Sequence, residues 1–318
     1  MKKIAYLLPL LAIALTSCST NNKVIESKVF CFDTLVEAKL YDGKKENIQE
    51  VEKILNNISD LTDNYELKSN NGVYAINQTN EEITIDEKLY SLIVDSLYMS
   101  YNVADYFNPL CGSLSKKWKE SLAKKEILSE TVINEELEKI NNTVITLKEN
   151  NVIQRTGEAE FDLGGVAKGY ALDLVNNYLQ ENGVGSYLIN AGSSSIALGE
   201  KQNKDGFFTV GLKEVKNAYI KAKNCFISTS SIYEQGVTID GVTYSHIINP
   251  KTGSAINVND GVIVISSNGA YGDVMSTSLM NNTVEEIKTI EEINDLKTIV
   301  IKNNKIIYSH KDIEVKYH

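Results

Sequence analysis

The sequence predicts a fold that mixes α-helices with β-strands, and two kinds of pattern indicate it. Apolar residues recur at three- and four-residue spacing in residues 89–101 and 166–179, which is typical of helices with one buried face. Short runs rich in β-branched residues at 144–147 and 152–155 are typical of a strand hairpin. The length, 318 residues, is enough for one large domain or two closely packed ones.

The composition excludes some classes of partner. The chain is acidic, with 42 Asp and Glu against 32 Lys and Arg, and it contains no basic tract. We therefore do not expect nucleic acid as a partner. Three cysteines besides Cys18 are irregularly spaced, which indicates neither a disulfide framework nor a zinc site.

Residues 1–17 are typical of a bacterial signal peptide. Lys2 and Lys3 precede an apolar stretch at 4–15 that is too short to span a bilayer. The sequence L-T-S-C, which ends at Cys18, resembles the lipobox of bacterial lipoproteins. We therefore expect cleavage before Cys18, acyl chains such as palmitate on that cysteine, and a polar tether at 18–28. The alternative is an ordinary secretory signal in which the cysteine has no role.

The elements that follow are predicted in chain order. Residues 29–40 predict one strand, 51–61 a helix, and 67–77 a polar loop. A short strand at 83–86 precedes the helix at 89–101. The last part of the chain, from 284 onward, predicts a helix followed by two strands.

The central stretch, residues 160–173, reads E-F-D-L-G-G-V-A-K-G-Y-A-L-D and predicts a strand, a glycine turn and a helix. Gly164 and Gly165 let the backbone approach a ligand, and the free N–H groups of a helix start attract an anion. Lys168 falls in the first helical turn, where a cation is unfavourable to the helix dipole. That position is explained if Lys168 meets a phosphate. The alternative is a tight turn with an exposed lysine.

Two later stretches carry further candidates for chemistry. His246 follows an apolar run and precedes a Pro-x-x-Gly turn, where an isolated histidine is more often a packed residue than a catalytic one. Asp273 and Thr277 are four residues apart and share one face if this stretch is helical. A carboxylate and a hydroxyl without sulfur or imidazole suit a hard cation such as Mg²⁺. The alternative for Asp273 is a helix cap.

Three blocks of the sequence resemble the ApbE family, the FAD:protein FMN transferases. They read D-L-G-G-V-A-K-G-Y-A-L-D at 162–173, H-I-I-N-P-K-T-G at 246–253 and D-V-M-S-T at 273–277, in the order of the family. The resemblance implies an α+β fold. It implies a single FAD-binding domain over residues 29–318, with a β-rich core and flanking helices.

Looser matches extend the resemblance. It implies that FAD is bound by the following residues: Phe32, Asn77, Phe107, Asn108, Asp162, Lys168 and Ile247. Four residues depart from the family pattern, which usually has Asp, Thr, Gly and Gly at these positions: Asn108, Leu110, Ser193 and Ser231.

The family reaction splits the pyrophosphate of FAD, moves FMN onto a Ser or Thr hydroxyl of another protein, and releases AMP. By resemblance, Mg²⁺ is held by Asp273, Thr277 and the backbone carbonyl of Gly165. The catalytic residues are His246 and Asp273, either of which could be the base for the incoming hydroxyl.

The predicted partner is an acceptor flavoprotein with a Ser or Thr attachment site, such as an extracytoplasmic electron-transfer protein. The lipobox predicts that the enzyme is anchored on the extracytoplasmic side of a bacterial membrane. Two other functions remain open. The same site could hydrolyse FAD to FMN and AMP, or the chain could be a flavin-binding lipoprotein without catalytic activity.

Overall fold

A computed structural model of the chain describes residues 24–318, so the predicted signal peptide and Cys18 lie outside the described residues. The helices are α1 Lys45–Thr62, α2 Val73–Asn77, α3 Glu87–Asn102, α4 Gly112–Ala123, α5 Glu130–Asn142, α6 Ala167–Glu181, α7 Ile232–Gln235, α8 Gly269–Leu279 and α9 Val284–Ile293. The strands are β1 Ile25–Cys31, β2 Thr34–Leu40, β3 Ile83–Thr84, β4 Val144–Lys148, β5 Val152–Thr156, β6 Tyr187–Ala191, β7 Ser195–Leu198, β8 Phe208–Gly211, β9 Ala218–Ala222, β10 Cys225–Ser231, β11 Val237–Ile239, β12 Val242–Tyr244, β13 Gly261–Ser266, β14 Leu296–Lys302, β15 Lys305–Ser309 and β16 Lys316–Tyr317. No helix within these described residues is long and apolar enough to cross a membrane.

The centre of the fold is an antiparallel sheet of eight strands in the order β1-β2-β6-β7-β10-β13-β14-β15. One face of this sheet packs against helices, among them α1, α6 and α8, and this interface is the larger hydrophobic core. The other face packs against a three-stranded sheet, β16-β9-β8, over a second core. The mixture of helices and strands that the sequence predicts is therefore confirmed, and the strands at the centre are buried on both faces.

The first strand differs from the sequence prediction in two respects. Residues 29–40, predicted as one strand, form the hairpin β1–β2, whose turn residues Phe32 and Asp33 have left-handed φ values of 53° and 54°. The strand also begins at Ile25, so Ile25–Lys28, which were predicted as part of the tether, pair with β2 instead. The folded part thus starts before the predicted boundary at residue 29.

Other elements follow the predictions more closely. The hairpin β4–β5 and the C-terminal helix α9 with strands β14 and β15 are confirmed. Helix α5 was not predicted, and α2 occupies the end of a stretch that was predicted as a polar loop. The residues before Gly164 do not form the predicted strand, because their backbone groups bond to neighbouring loops. The N–H of Asp162, for example, donates to the carbonyl of Pro109 at 2.8 Å.

Candidate active site

Helices α6 and α8 cross so closely that their backbones touch. A Cβ atom added at Gly169 would lie 2.1 Å from the carbonyl oxygen of Gly269, and one added at Gly269 would lie 2.4 Å from that of Gly169. Only glycine at both positions permits this approach. The crossing brings the start of α6, with its glycine turn, against the residues of α8 that the sequence singled out.

Asp273 on α8 is buried at this crossing and accepts hydrogen bonds on both carboxylate oxygens. The N–H of Gly169 donates to Oδ2 at 2.7 Å. The hydroxyl of Ser228 donates to Oδ1 at 2.6 Å, and that of Ser195 lies 2.9 Å from Oδ1 and 3.1 Å from Oδ2. Burial raises the pKa of Asp273, while the charge of Lys168 and these donors oppose the rise. The site therefore holds a carboxylate in a place that favours a nearby cation.

The sequence did not single out Ser195 or Ser228 as site residues. Ser228 and Ser230 are two apart on β10, so both side chains point to the sheet face that carries α8. Ser195 begins β7, the strand that pairs with β10 on its other side. Alternation along β10 could have indicated that its serines share a face, but not which carboxylate they meet.

Thr277 lies one helical turn beyond Asp273, as predicted. Its hydroxyl is 3.4 Å from that of Ser230, which is also 2.9 Å from the hydroxyl of Ser276. A Cβ atom added at Gly165 would lie 3.4 Å from Oγ1 of Thr277 and 3.3 Å from the Phe107 ring. The structure therefore brings Gly165, Phe107 and Thr277 together, and its glycine turn faces the C-terminal half of α8.

The turn before α6 is held from several sides. Oδ1 of Asp162 accepts a hydrogen bond from the N–H of Gly164 at 2.8 Å, which closes a short turn. The side-chain amide of Asn77 donates to the carbonyl of Phe161 at 2.9 Å and accepts from its N–H at 2.8 Å. Oδ1 of Asn108 accepts from the N–H of Leu110 at 2.9 Å. Asn77 thus fixes backbone next to the site, and its predicted contact with FAD stays a prediction.

Lys168 links the two halves of the site electrostatically. Loss of solvation and, to a smaller extent, the positive charge of Lys168 lower the pKa of His246 below its ordinary value of 6.5. His246 is nevertheless exposed to solvent on part of its surface, so water moderates this effect. A lowered pKa leaves the imidazole neutral at pH 7. Next to it, Ile247 is buried, and its N–H donates to Oγ of Ser245 at 3.0 Å.

The β1–β2 turn lies beside another loop that borders the site. A Cβ atom added at Gly192 would lie 2.4 Å from Oγ1 of Thr34, so the turn after β6 packs directly on the start of β2. The N–H of Phe32 donates to Oγ of Ser59 at 2.8 Å. The β1–β2 hairpin is thus in contact with α1 through Phe32 and with the loop that leads into Ser195 through Thr34.

Two departures from the family pattern have structural consequences. Ser193 has a φ of 68°, a left-handed conformation that explains why glycine is usual there. Ser231 is fully buried, and its hydroxyl accepts a hydrogen bond from the N–H of Tyr233 at 3.1 Å, which caps α7. Neither serine donates a hydrogen bond to Asp273, so the donors to that carboxylate remain Gly169, Ser195 and Ser228.

The donors gathered here suit a hard cation. Within residues 24–318 there is no cluster of three His, Cys, Asp or Glu side chains that could hold a metal ion. The group around Asp273 instead combines one carboxylate with the hydroxyls of Ser195 and Ser228, and oxygen atoms of this kind suit magnesium better than zinc. The hydroxyls of Ser195 and Ser228 can rotate, so they do not block a cation from the carboxylate.

Two cavities of about 640 and 630 Å³ lie elsewhere, around the start of β10. Both are lined by Asn224, Cys225 and Ser267, and neither is lined by a predicted site residue. The predicted site residues therefore lie outside both cavities.

Comparison with known proteins identifies the family of the chain. The ApbE family is matched by residues 32–300, and the chain belongs to this family. A relative from Klebsiella pneumoniae (strain 342), named FAD:protein FMN transferase, is 27% identical over 306 residues, which cover 91% of this chain and 93% of that protein.

Solved structures show the same fold. The ApbE protein of Thermotoga maritima superposes with a TM-score of 0.77 at 21% identity and covers 93% of this chain and 97% of its own. The flavinyl transferase ApbE of Pseudomonas stutzeri, in its apo form, gives a TM-score of 0.75 at 22% identity and covers 91% and 95%. The predicted family and the predicted α+β fold are therefore confirmed.

Proposed function

We propose that this enzyme moves FMN from FAD onto a Ser or Thr hydroxyl of an acceptor protein and releases AMP. The observation that carries the proposal is the crossing of α6 and α8, which brings Gly165 beside Thr277 and the N–H of Gly169 onto the carboxylate of Asp273. Lys168 in the first turn of α6 adds a positive charge that acts on both Asp273 and His246, and such a charge suits the pyrophosphate of FAD. The name of the Klebsiella pneumoniae relative supports the same reaction.

FAD is recognised by the glycine turn and its neighbours. Gly164 and Gly165 carry no side chain that would keep the phosphates away from this turn, which leads directly into α6. Lys168 has no carboxylate within 4.0 Å among residues 24–318, so its charge is available to a phosphate. Phe107, which lies beside Gly165, and Phe32 supply apolar surface for the flavin.

The transfer is a substitution at the phosphorus of the FMN half. The hydroxyl oxygen of the acceptor attacks this phosphorus, the bond to the bridging oxygen breaks, and the bridging oxygen leaves with AMP. The neutral imidazole of His246 accepts the proton of the attacking hydroxyl. Because the pKa of His246 is low, the ring returns this proton to water rapidly after the reaction.

The donor set fits Mg²⁺, which would be held by the Asp273 carboxylate, the Thr277 hydroxyl and the Gly165 carbonyl. When bound, Mg²⁺ supplies positive charge that neutralises the pyrophosphate. Ser195, Ser228 and the N–H of Gly169 keep the carboxylate of Asp273 in one orientation. These residues contribute positioning, and phosphoryl transfer depends mainly on positioning and charge.

We also propose that Cys18 is lipidated and that the enzyme acts on the extracytoplasmic side of a bacterial membrane. The lipobox-like sequence before Cys18 supports this location. The acceptor would then be an extracytoplasmic electron-transfer protein. Cys18→Ala should leave the protein unprocessed or release it from membranes, and fractionation identical to wild type would refute the lipid anchor.

One incubation separates the proposed reaction from its alternatives. The mature protein is mixed with FAD, Mg²⁺ and a candidate acceptor protein, and AMP, free FMN and acceptor-bound flavin are measured. A transferase yields AMP and acceptor-bound flavin in equal amounts. AMP with free FMN would mean a hydrolase, and neither product would mean a flavin-binding protein.

A further inference from the structure

Arg155 on β5 is the only arginine in the chain, although Lys and Arg together number 32. Every other permanently cationic side chain is a lysine. Arginine differs from lysine in its planar guanidinium, which carries five N–H donors in a fixed fork. The use of arginine at position 155 alone suggests that the planar guanidinium has a role there that a lysine ammonium could not fill.

The contacts of Arg155 use the whole fork. Its side chain is buried and donates only to backbone carbonyls. The acceptors and distances are Gly157 at 2.6 Å, Ala159 at 3.2 Å, Asn77 at 3.1 Å, Thr79 at 3.1 Å and Ile76 at 3.4 Å. Burying a guanidinium is costly, and carbonyls from two chain segments offset that cost here. Arg155 therefore ties residues 76–79 to residues 157–159.

Both tied segments lead directly to the site. The carbonyl of Asn77 accepts from Arg155, and the side chain of Asn77 bonds to the N–H and the carbonyl of Phe161. Asp162 follows Phe161 and opens the turn that contains Gly164 and Gly165. Arg155 itself contacts none of the residues from 162 to 165 through a hydrogen bond. Its influence on the turn passes through Asn77 and Phe161.

We propose that Arg155 is a positioning residue that fixes the phosphate-binding turn at 162–165 before FAD arrives. The role in FAD binding rests on the proposed function, whereas the effect on the turn does not. Lysine cannot replace it, because three donors on one nitrogen cannot reach carbonyls on two segments in the directions that the guanidinium covers. Loss of the fork leaves buried carbonyls unpaired and frees the turn.

The alternative is that Arg155 only adds to overall stability. A matched control is Glu291→Gln, because Glu291 also joins separate elements through several hydrogen bonds, to Thr298 and Tyr308. Those elements, α9, β14 and β15, do not include the turn. Both variants should lower the melting temperature, so a local measurement is needed to separate the two roles.

The test is amide hydrogen exchange of the protein without FAD, followed by FAD affinity from quenching of flavin fluorescence. In Arg155→Lys, exchange at residues 159–164 should rise about tenfold, and the Kd for FAD should rise by a similar factor, as expected for the loss of about one buried hydrogen bond. In Glu291→Gln, exchange in that segment and FAD affinity should stay within about twofold of wild type.

Unchanged exchange at 159–164 in Arg155→Lys would overturn the proposal, and so would an equal rise along the whole chain in both variants. If wild type does not bind FAD, the proposed function fails, while the exchange result still decides the role of Arg155. If Arg155→Lys does not fold, Asn77→Ala is measured instead, because it removes the hydrogen bonds through which Asn77 holds Phe161. Unchanged exchange at 159–164 in that variant would equally overturn the proposal.

Discussion

Two aspartates at the α6–α8 crossing, Asp173 and Asp273, are held by different hydrogen-bond donors. Asp173 accepts hydrogen bonds from the N–H groups of Gly269 and Ala270, at 2.6 and 2.8 Å, at the start of α8. Both donors are backbone groups of a helix N-terminus, where a carboxylate is favourable. Both carboxylate oxygens of Asp173 therefore accept a hydrogen bond that joins α6 to α8.

Asp273 accepts one hydrogen bond from a backbone N–H, that of Gly169, and its other hydrogen bonds come from the hydroxyls of Ser195 and Ser228. Hydroxyl hydrogens can rotate away, whereas backbone N–H groups cannot, so lone pairs of this carboxylate can become available to a cation while the carboxylate keeps its orientation. Lys168 adds a positive charge nearby. Both carboxylates are shielded from water and have raised pKa values, so the two aspartates differ in their hydrogen-bond donors and not in their titration.

The largest expected effect is that of Asp273→Asn. The change removes the charge that would hold a cation and keeps the size of the side chain. We expect AMP release to fall by about 10²-fold or more, as for the loss of one strong electrostatic contact in a transition state. The fold should persist, which circular dichroism can check. AMP release as fast as in wild type would contradict a role for this carboxylate.

The second prediction concerns stability through Asp173. Burial raises its pKa from 3.8 to about 6, so the folded protein binds the proton more tightly than the unfolded chain. This contribution to stability is present at low pH and is lost as the pH rises from about 4 to about 6. With some discount for partial exposure, the free energy of unfolding should fall by about 2 kcal/mol over that range.

Asp173→Asn removes this titration, and its stability should depend less on pH than that of wild type. Denaturant unfolding of both proteins at pH 4.5 and 7 measures the difference. Its AMP release, measured below the melting transition, should stay far above that of Asp273→Asn. Equal pH dependence in the two proteins would mean that Asp173 is not the group responsible.

A smaller effect is expected for Thr277→Val. The change removes a neutral oxygen beside Gly165 and keeps the branched shape of the side chain. AMP release should fall by less than in Asp273→Asn, because no charge is lost. Excess Mg²⁺ should restore part of the rate. If AMP release fell as far as in Asp273→Asn and excess Mg²⁺ did not restore it, the Thr277 hydroxyl would be as important as the Asp273 carboxylate, which would contradict this prediction.

The smallest effect is a change in titration. Lys168→Met removes a positive charge that lowers the pKa of His246, so this pKa should rise toward its ordinary value of 6.5. Titration of the His246 ring by NMR in the protein without FAD measures it. A pKa that stays where it is in wild type would mean that the two side chains are not close enough to interact.

The local parts of the site could be predicted from sequence. Asp273 and Thr277 were placed on one face because helical spacing is a local rule. The glycines before α6 indicated a turn for the same reason. Lys168 was indicated by its place in the first turn of a helix, with an exposed lysine as the alternative. His246 needed the family resemblance, since an isolated histidine after an apolar run is more often a packed residue.

The remaining parts depended on long-range pairing. Ser195 and Ser228 meet Asp273 only because β7 and β10 pair beneath α8. The β1–β2 turn was missed because Phe32 and Asp33 give no strong turn signal, although both adopt left-handed backbone conformations. Such features follow from the packed fold, and a single sequence does not reveal them.

The measurement that tests the central comparison most directly is binding of Mn²⁺, as a paramagnetic substitute for Mg²⁺, followed by electron paramagnetic resonance. It needs no turnover and uses wild type, Asp273→Asn and Asp173→Asn side by side, in the presence of FAD. We expect Asp173→Asn to bind Mn²⁺ about as tightly as wild type does and Asp273→Asn to lose binding by at least about tenfold. Equal binding by wild type and Asp273→Asn would contradict the assignment of Asp273 as the residue that holds the cation.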